Sequence, residues 1–242
     1  MSYTEPKGSR TTYLTAPVTG GATDRRAVIA HVLPFAVFVG VMALERGLSI
    51  PWQWVYPTRA LATLAVLLAY SRPWIPLRPS RPLASFLLGV AVFIIWIAPD
   101  LLFHYRTSVL FQNPLTGSAA TTFPAKFTAN IPILLLRSAV ATLLVPIIEE
   151  LFWRSWLMRY LIDVNFLSVP LGTYARGAFW ITAVLFASEH GAYWEVGLAA
   201  GIIYNWWLIR TRDLADCILA HAVTNGVLCV YIVSGGHWQY WL

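Results

Sequence analysis

The sequence predicts an all-α protein, a polytopic transmembrane helical bundle of about seven spans (six to eight), on three grounds. Of its 242 residues 58% are hydrophobic and only 12% are charged, about half the charged share of an ordinary soluble domain. Mean hydropathy is +0.62. The apolar residues come in runs on the scale of the roughly 20 residues needed to cross a hydrocarbon core, separated by polar loops. A net charge of +6 does not point to nucleic acid, because the basic residues are scattered through those loops and form no patch. There they act as topology signals.

Residues 1–26 read as a flexible cytoplasmic tail carrying Lys7, Arg10, Arg25 and Arg26. No small-residue cleavage site follows a short apolar stretch at the start, so a cleaved signal peptide is not expected. The first span takes residues 27–44, apolar except for His31. Residues 49–57 hold Trp52, Trp54 and Tyr56 with two prolines and read as an interfacial aromatic belt leading into a short second span near 60–70. A loop over 72–82 with three arginines and four prolines precedes a third span at 83–103. Residues 104–130, with Asn113-Pro114, Gly117 and Pro124, form a long irregular connection.

The run 131–162 is roughly 48 Å long if wholly helical, so it overshoots the hydrocarbon core. Within it Pro146 lacks the N–H that would bond the Thr142 carbonyl, and a kink or an exposed carbonyl is expected there. After a turn at 165–172, further spans take 176–190, 194–209 and 214–233. The tail 235–242 holds two tryptophans and a tyrosine, which suits a membrane interface. Cys217 and Cys229 are roughly 18 Å apart along one helix, too far for a disulfide, and read as buried small hydrophobes.

With the amino terminus cytoplasmic, twelve Lys and Arg fall in inner segments and four (Arg46, Arg59, Arg106, Lys126) in outer ones, with Arg137 inside a span. Seven spans then satisfy the positive-inside rule. The expected location is the cell inner (plasma) membrane, multi-pass. Three regions follow: the tail 1–26, transmembrane helices with the long connection over 27–130, and a core over 131–242.

The residues that demand a function are Glu149, Glu150 and Arg154, which interrupt an apolar helix after Pro146. An ionisable group at bilayer depth costs at least about 2.5–3.5 kcal/mol, so its default reading is functional. Glu150 and Arg154 are four apart and share a face; Glu149 points about 100° away. Further polar groups interrupt later spans: Ser188-Glu189-His190, Asn205, and His221 with Asn225. Counted from the inner helix ends, Glu149, His190 and His221 lie at depths of roughly 20, 21 and 14 Å, so one cavity can hold all three. Carboxylate, imidazole and amide there suit hydrolysis, with Glu149 as general base and His190 as its partner on a water. His221 and Asn225 can then donate to the oxyanion, and Glu150 is locked to Arg154.

Taken singly, each group has a blander reading: an ion pair, a helix cap, or interhelical hydrogen-bond glue. Zinc bound by His190, His221 and Glu149 is the rival chemistry, against which neither His-Glu-x-x-His nor His-x-x-Glu-His is present. Glu189 and Glu195 read as interfacial, and a proton-coupled carrier is disfavoured by the lack of an inverted repeat.

Three ordered motifs resemble a known family, the CPBP intramembrane proteases, named for CAAX proteases and bacteriocin-processing proteins. They are Glu149-Glu150-x3-Arg154, Phe186-x3-His190 and His221-x3-Asn225, within a resemblance covering about 131–233. It implies a glutamic-type helical membrane endopeptidase that cuts near the carboxyl terminus of a membrane-anchored protein or peptide within the lipid bilayer. It further implies Glu149 and His190 activating water, the last motif as oxyanion hole, and no cofactor, with a zinc-dependent version as the alternative. In detail the chain looks like the bacterial branch related to CAAX prenyl proteases, which is linked to exosortase-like carboxyl-terminal protein sorting. The alternative of another class is a non-catalytic binding or immunity-type membrane protein with the same fold.

Overall fold

The computed structural model describes residues 24–47, 51–118 and 125–241. Among the described residues seven helices longer than ten residues make the bundle: α1 (Arg25–Gly47), α2 (Trp52–Val66), α3 (Pro82–Phe103), α4 (Ile131–Tyr160), α5 (Arg176–Ser188), α6 (Trp194–Thr211) and α7 (Leu214–Gly235). Among the described residues there is no strand, only an isolated bridge between Asn113 and Gly117. Among the described residues four helices, α1, α3, α4 and α7, are long and apolar enough to cross a membrane. Helices α2 and α5, at 15 and 13 residues, are shorter, so length and composition establish a multi-pass helical membrane protein without fixing seven spans. Leu61, Leu87, Leu102, Leu135, Leu143 and Val230 are all more than half exposed. That much outward apolar surface is a liability in water and suits lipid.

The segment expected to be a belt over 49–57 is instead helical from Trp52 onward. Pro51 precedes α2 with a φ of −56°, so the ring starts the helix where a missing N–H costs nothing. Tyr56 turns inward and is buried while Trp54 stays outward. The tail 1–23 and residues 48–50 lie outside the described residues.

Helices α3 and α7 pair most extensively, pinned at their first turns by Asp216. Its fully buried carboxylate accepts from Ser80 Oγ (2.6 Å), Arg81 N (2.8 Å) and Ser85 Oγ (3.0 Å). One turn on, Gly89 abuts the Ala220 carbonyl and Val223 so closely that any Cβ would collide. At the opposite end, Arg106 binds Asp100 (2.7 and 2.8 Å), the Ala192 carbonyl and Glu195 (2.6 Å), and lies 4.0 Å over the Tyr193 ring. Tyr105 donates to the same Glu195 oxygen at 2.9 Å. Burial first, then that carboxylate, pushes the Tyr105 hydroxyl up to about 12, so it stays a donor across the physiological range. Glu195 is thus a structural anchor for the connection after α3.

The chain's last residues fold back, contrary to the expectation of an interface. Tyr240 and Trp241 are buried, Tyr193 donates to the Gln239 carbonyl at 3.0 Å, and Trp241 lies against Phe127. Burying these rings removes large apolar areas from solvent. Both cysteines are free and buried, as expected.

Candidate active site

Helix α4 is continuous but not uniformly α. Val140–Leu144 and Leu151–Leu157 are π-helical, on either side of the Val145–Glu150 turn. The N–H of Val145 bonds the Val140 carbonyl, five residues back, so the turn entering Pro146 is wide. In that register the carbonyl that lacks its donor because of Pro146 belongs to Ala141, not Thr142 as an α-helix would dictate. Asn225 supplies the missing donor: its Nδ2 reaches Ala141 O at 2.9 Å. The amide has two N–H groups, and the side chain also lines the cavity described next.

The Glu149-Glu150 pair splits as the helix face predicts. Glu150 is fully buried and accepts through Oε1 from Arg154 Nη1 (3.1 Å) and His221 Nδ1 (2.9 Å). Arg154, also fully buried, donates from Nε to Asn205 Oδ1 (3.1 Å) and stacks on Phe186 (4.3 Å) and Tyr204 (5.4 Å). Asn205 in turn donates to the Phe179 carbonyl at 2.9 Å, so α6 and α5 fix the guanidinium plane. Glu149 faces a cavity of about 790 Å³, together with Trp153, Glu189, His190, His221 and Asn225. Its Oε2 has no hydrogen-bond partner among the described residues and lies 4.0 Å from His221 Nε2.

His190 lies two residues past the end of α5, in the turn that Gly191 closes with a φ of +54°. The expected span 176–190 therefore stops at Ser188. The ring's Nδ1 is 2.7 Å from the Phe186 carbonyl, which can only accept, so Nδ1 carries the proton and Nε2 presents a lone pair. Gly197 of α6 leaves the space the imidazole fills: a Cβ there would lie 3.1 Å from His190 Cβ, Cγ and Nδ1. Phe186 is the common neighbour, its ring 4.7 Å from His190 and 6.1 Å from His221. Tyr204 stacks on His221 at 5.1 Å. Pro114, Leu115, Thr116 and Gly117, from the connection after α3, form one wall.

All six residues singled out in the sequence thus converge, Glu149, His190, His221 and Asn225 on the cavity and Glu150 with Arg154 beneath it. The three spaced motifs have become one structure. Residues 131–227 match the family described as Rce1-like, type II CAAX prenyl endopeptidase Rce1-like. Over that segment the chain is similar to the CPBP, or CAAX-protease, family. All three motifs fall inside the match, and the description of that family is of a CAAX prenyl endopeptidase. No curated protein and no solved structure matches the chain.

The partners of two residues at the site, Glu189 and Asn205, lie beyond sequence reasoning. Glu189 lines the cavity rather than an interface, accepting from Trp153 Nε1 at 2.9 Å, and Asn205 holds Arg154. Each is a lone polar residue whose partner is 36 or 51 positions away, so no local spacing betrays it. A zinc centre needs at least three protein ligands at about 2.0–2.2 Å from one point. Among the described residues no group of three or more His, Cys, Asp or Glu is arranged to hold a metal.

Proposed function

We propose that the chain is a glutamic-type intramembrane endopeptidase that hydrolyses a peptide bond near the carboxyl terminus of a membrane-anchored protein. The observation that carries the reading is the pairing, in one cavity, of an unpartnered Glu149 oxygen with an imidazole whose Nε2 lone pair is fixed by the Phe186 carbonyl. Both are proton acceptors, which is what a water needs to become a nucleophile. Glu149 takes the proton as the water oxygen attacks the scissile carbonyl carbon, and His190 holds the water in line. The carbonyl oxygen becomes an oxyanion, to which Asn225 donates its second amide N–H and His221 donates from Nε2 when the ring carries both protons. Collapse expels the amine, which takes the proton from Glu149. Glu150 and Arg154 position His221 and take no part in the proton transfers.

In this reading 131–242 is the protease core, the helices of 27–130 complete a bundle of about seven spans, and the amino terminus is cytoplasmic in the inner membrane. A link to carboxyl-terminal protein sorting fits such an enzyme. The test is Glu149→Gln, which keeps shape but accepts no proton: membrane insertion and melting should stay near wild type while processing of the cognate substrate vanishes. Near-normal turnover would take Glu149 out of the chemistry and leave a binding protein or another nucleophile.

A further inference from the structure

One carboxylate on the cavity takes no part in the hydrolysis proposed above. Glu189 lines the cavity from an exposed position at its rim, one residue before His190. Trp153 Nε1 donates to its Oε1 at 2.9 Å, and that is its single hydrogen bond among the described residues. None of their cations pairs with it: Arg154 donates instead to Glu150 and Asn205. A carboxylate at bilayer depth calls for a partner, and no described residue supplies a cationic one. The surroundings point to the same kind of ligand. The Trp153 ring that orients Glu189 packs with Phe35 (5.5 Å), Phe152 (4.7 Å) and Phe186 (6.1 Å), and all four rings line the cavity. Aromatic faces attract ammonium and guanidinium groups, a carboxylate binds them through charge-assisted hydrogen bonds, and apolar surface takes the long stem of lysine or arginine.

We infer that Glu189 binds a lysine or arginine side chain of the substrate close to the bond that is cut, so that the site selects a basic residue there. Only the placement beside the scissile bond rests on the proteolytic reading; cation binding stands apart from catalysis. Glu189 and His190 are chain neighbours with Cα atoms about 3.8 Å apart, and an extended substrate advances about 3.4 Å per residue. With His190 on the attacking water, the basic residue falls within about two positions of the scissile carbonyl. The selection works by exclusion as much as by attraction. A neutral side chain of the same length covers the Glu189 carboxylate and leaves it unpaired, and a site built to bond a polar group rejects the analogue that lacks it.

The experiment compares binding of acetyl-Leu-Ala-Lys-Ala-Leu amide with that of the analogue in which norleucine, a neutral side chain of similar length, replaces the lysine. The full chain carries Glu149→Gln, which removes the cavity's other free carboxylate, sits in phosphatidylcholine nanodiscs and is read by tryptophan fluorescence, with mass spectrometry confirming that the peptides stay intact. The lysine peptide should bind at least five-fold more tightly, and adding Glu189→Gln should bring the ratio below two; Glu189→Leu serves the same purpose if the glutamine variant does not accumulate. A ratio under five on the starting protein overturns the inference, whether or not either variant folds. A ratio that stays at two or above once Glu189 is neutralised places the cation elsewhere and overturns it as well. Phosphatidylethanolamine is the lipid source of the same ammonium chemistry. If exchanging it for phosphatidylcholine weakens lysine-peptide binding ten-fold or more, Glu189 belongs to lipid and the peptide reading falls; a smaller effect supports it. Lysine preference in a chain whose unmutated form cleaves nothing retains the subsite and removes the protease. Cleavage with no lysine preference does the reverse.

Discussion

Replacing Arg154 by alanine tests how the buried charges are held. Arg154 and Glu150 are both 0% exposed, and the substitution strips Glu150 of its 3.1 Å partner while leaving it the His221 ring at 2.9 Å. It also deprives Asn205 Oδ1 of its donor and removes the cation from the Phe186 face. Breaking a buried pair by deleting one member typically destabilises by about 3–5 kcal/mol, because the surviving charge cannot regain its hydration. At about 2–4 °C per kcal/mol for a chain of this size, melting should fall on the order of 10 °C. The assay is thermal unfolding in nanodiscs by tryptophan fluorescence, with Glu150→Gln/Arg154→Ala as the companion. If the loss is that of a stranded carboxylate, neutralising it should restore several degrees despite one more interaction deleted. Melting of Arg154→Ala within about 2 °C of wild type, or a double variant no better than the single, refutes the reasoning.

Asn225→Ala should lower kcat by about 10²–10³ if the amide donates to the oxyanion, and lower melting by a few degrees because the Ala141 carbonyl loses its donor; a fall in kcat under five-fold would leave Asn225 a helix clamp only. Gly197→Ala places a methyl 3.1 Å from the His190 ring, so turnover should drop about ten-fold as the imidazole shifts by a few tenths of an ångström, with melting nearly unchanged; unaltered turnover would mean His190 needs no fixed position. Dialysis against a strong chelator should leave activity intact, with metal analysis well below one ion per chain. Loss restored by stoichiometric zinc would make His190, His221 and Glu149 ligands and overturn the glutamate mechanism.

Much of the site could be read before any coordinates, for a simple reason. Charges inside an apolar helix stand out, and a spacing of four puts Glu150 with Arg154, and His221 with Asn225, on one face. Helix rise then converts sequence position to depth, which brings Glu149, His190 and His221 within about 7 Å of one another in depth. What stayed hidden depends on tertiary contact. Whether Pro146 orphans Thr142 or Ala141 turns on the hydrogen-bond register of the preceding turn, and only packing against α7 reveals that Asn225 caps the result. Glu189 and Tyr56 give no periodic signal, and the burial of the tail is not legible because aromatic residues near a terminus suit a membrane interface and a core equally well.

The two wide turns of α4 have a consequence for how such a chain can change. A helical face is a phase, and each five-residue closure advances that phase by one residue, about 100°. Glu150 meets His221, and Glu149 meets the cavity, only in the phase set by Val140–Leu144. The loops either side can gain or lose residues at small entropic cost, but removing a single residue from the Val140–Leu144 turn would let it close as an ordinary α turn and take the Ala141 carbonyl out of the register that Asn225 caps. In this stretch the count of residues is as much a part of the site as their identity.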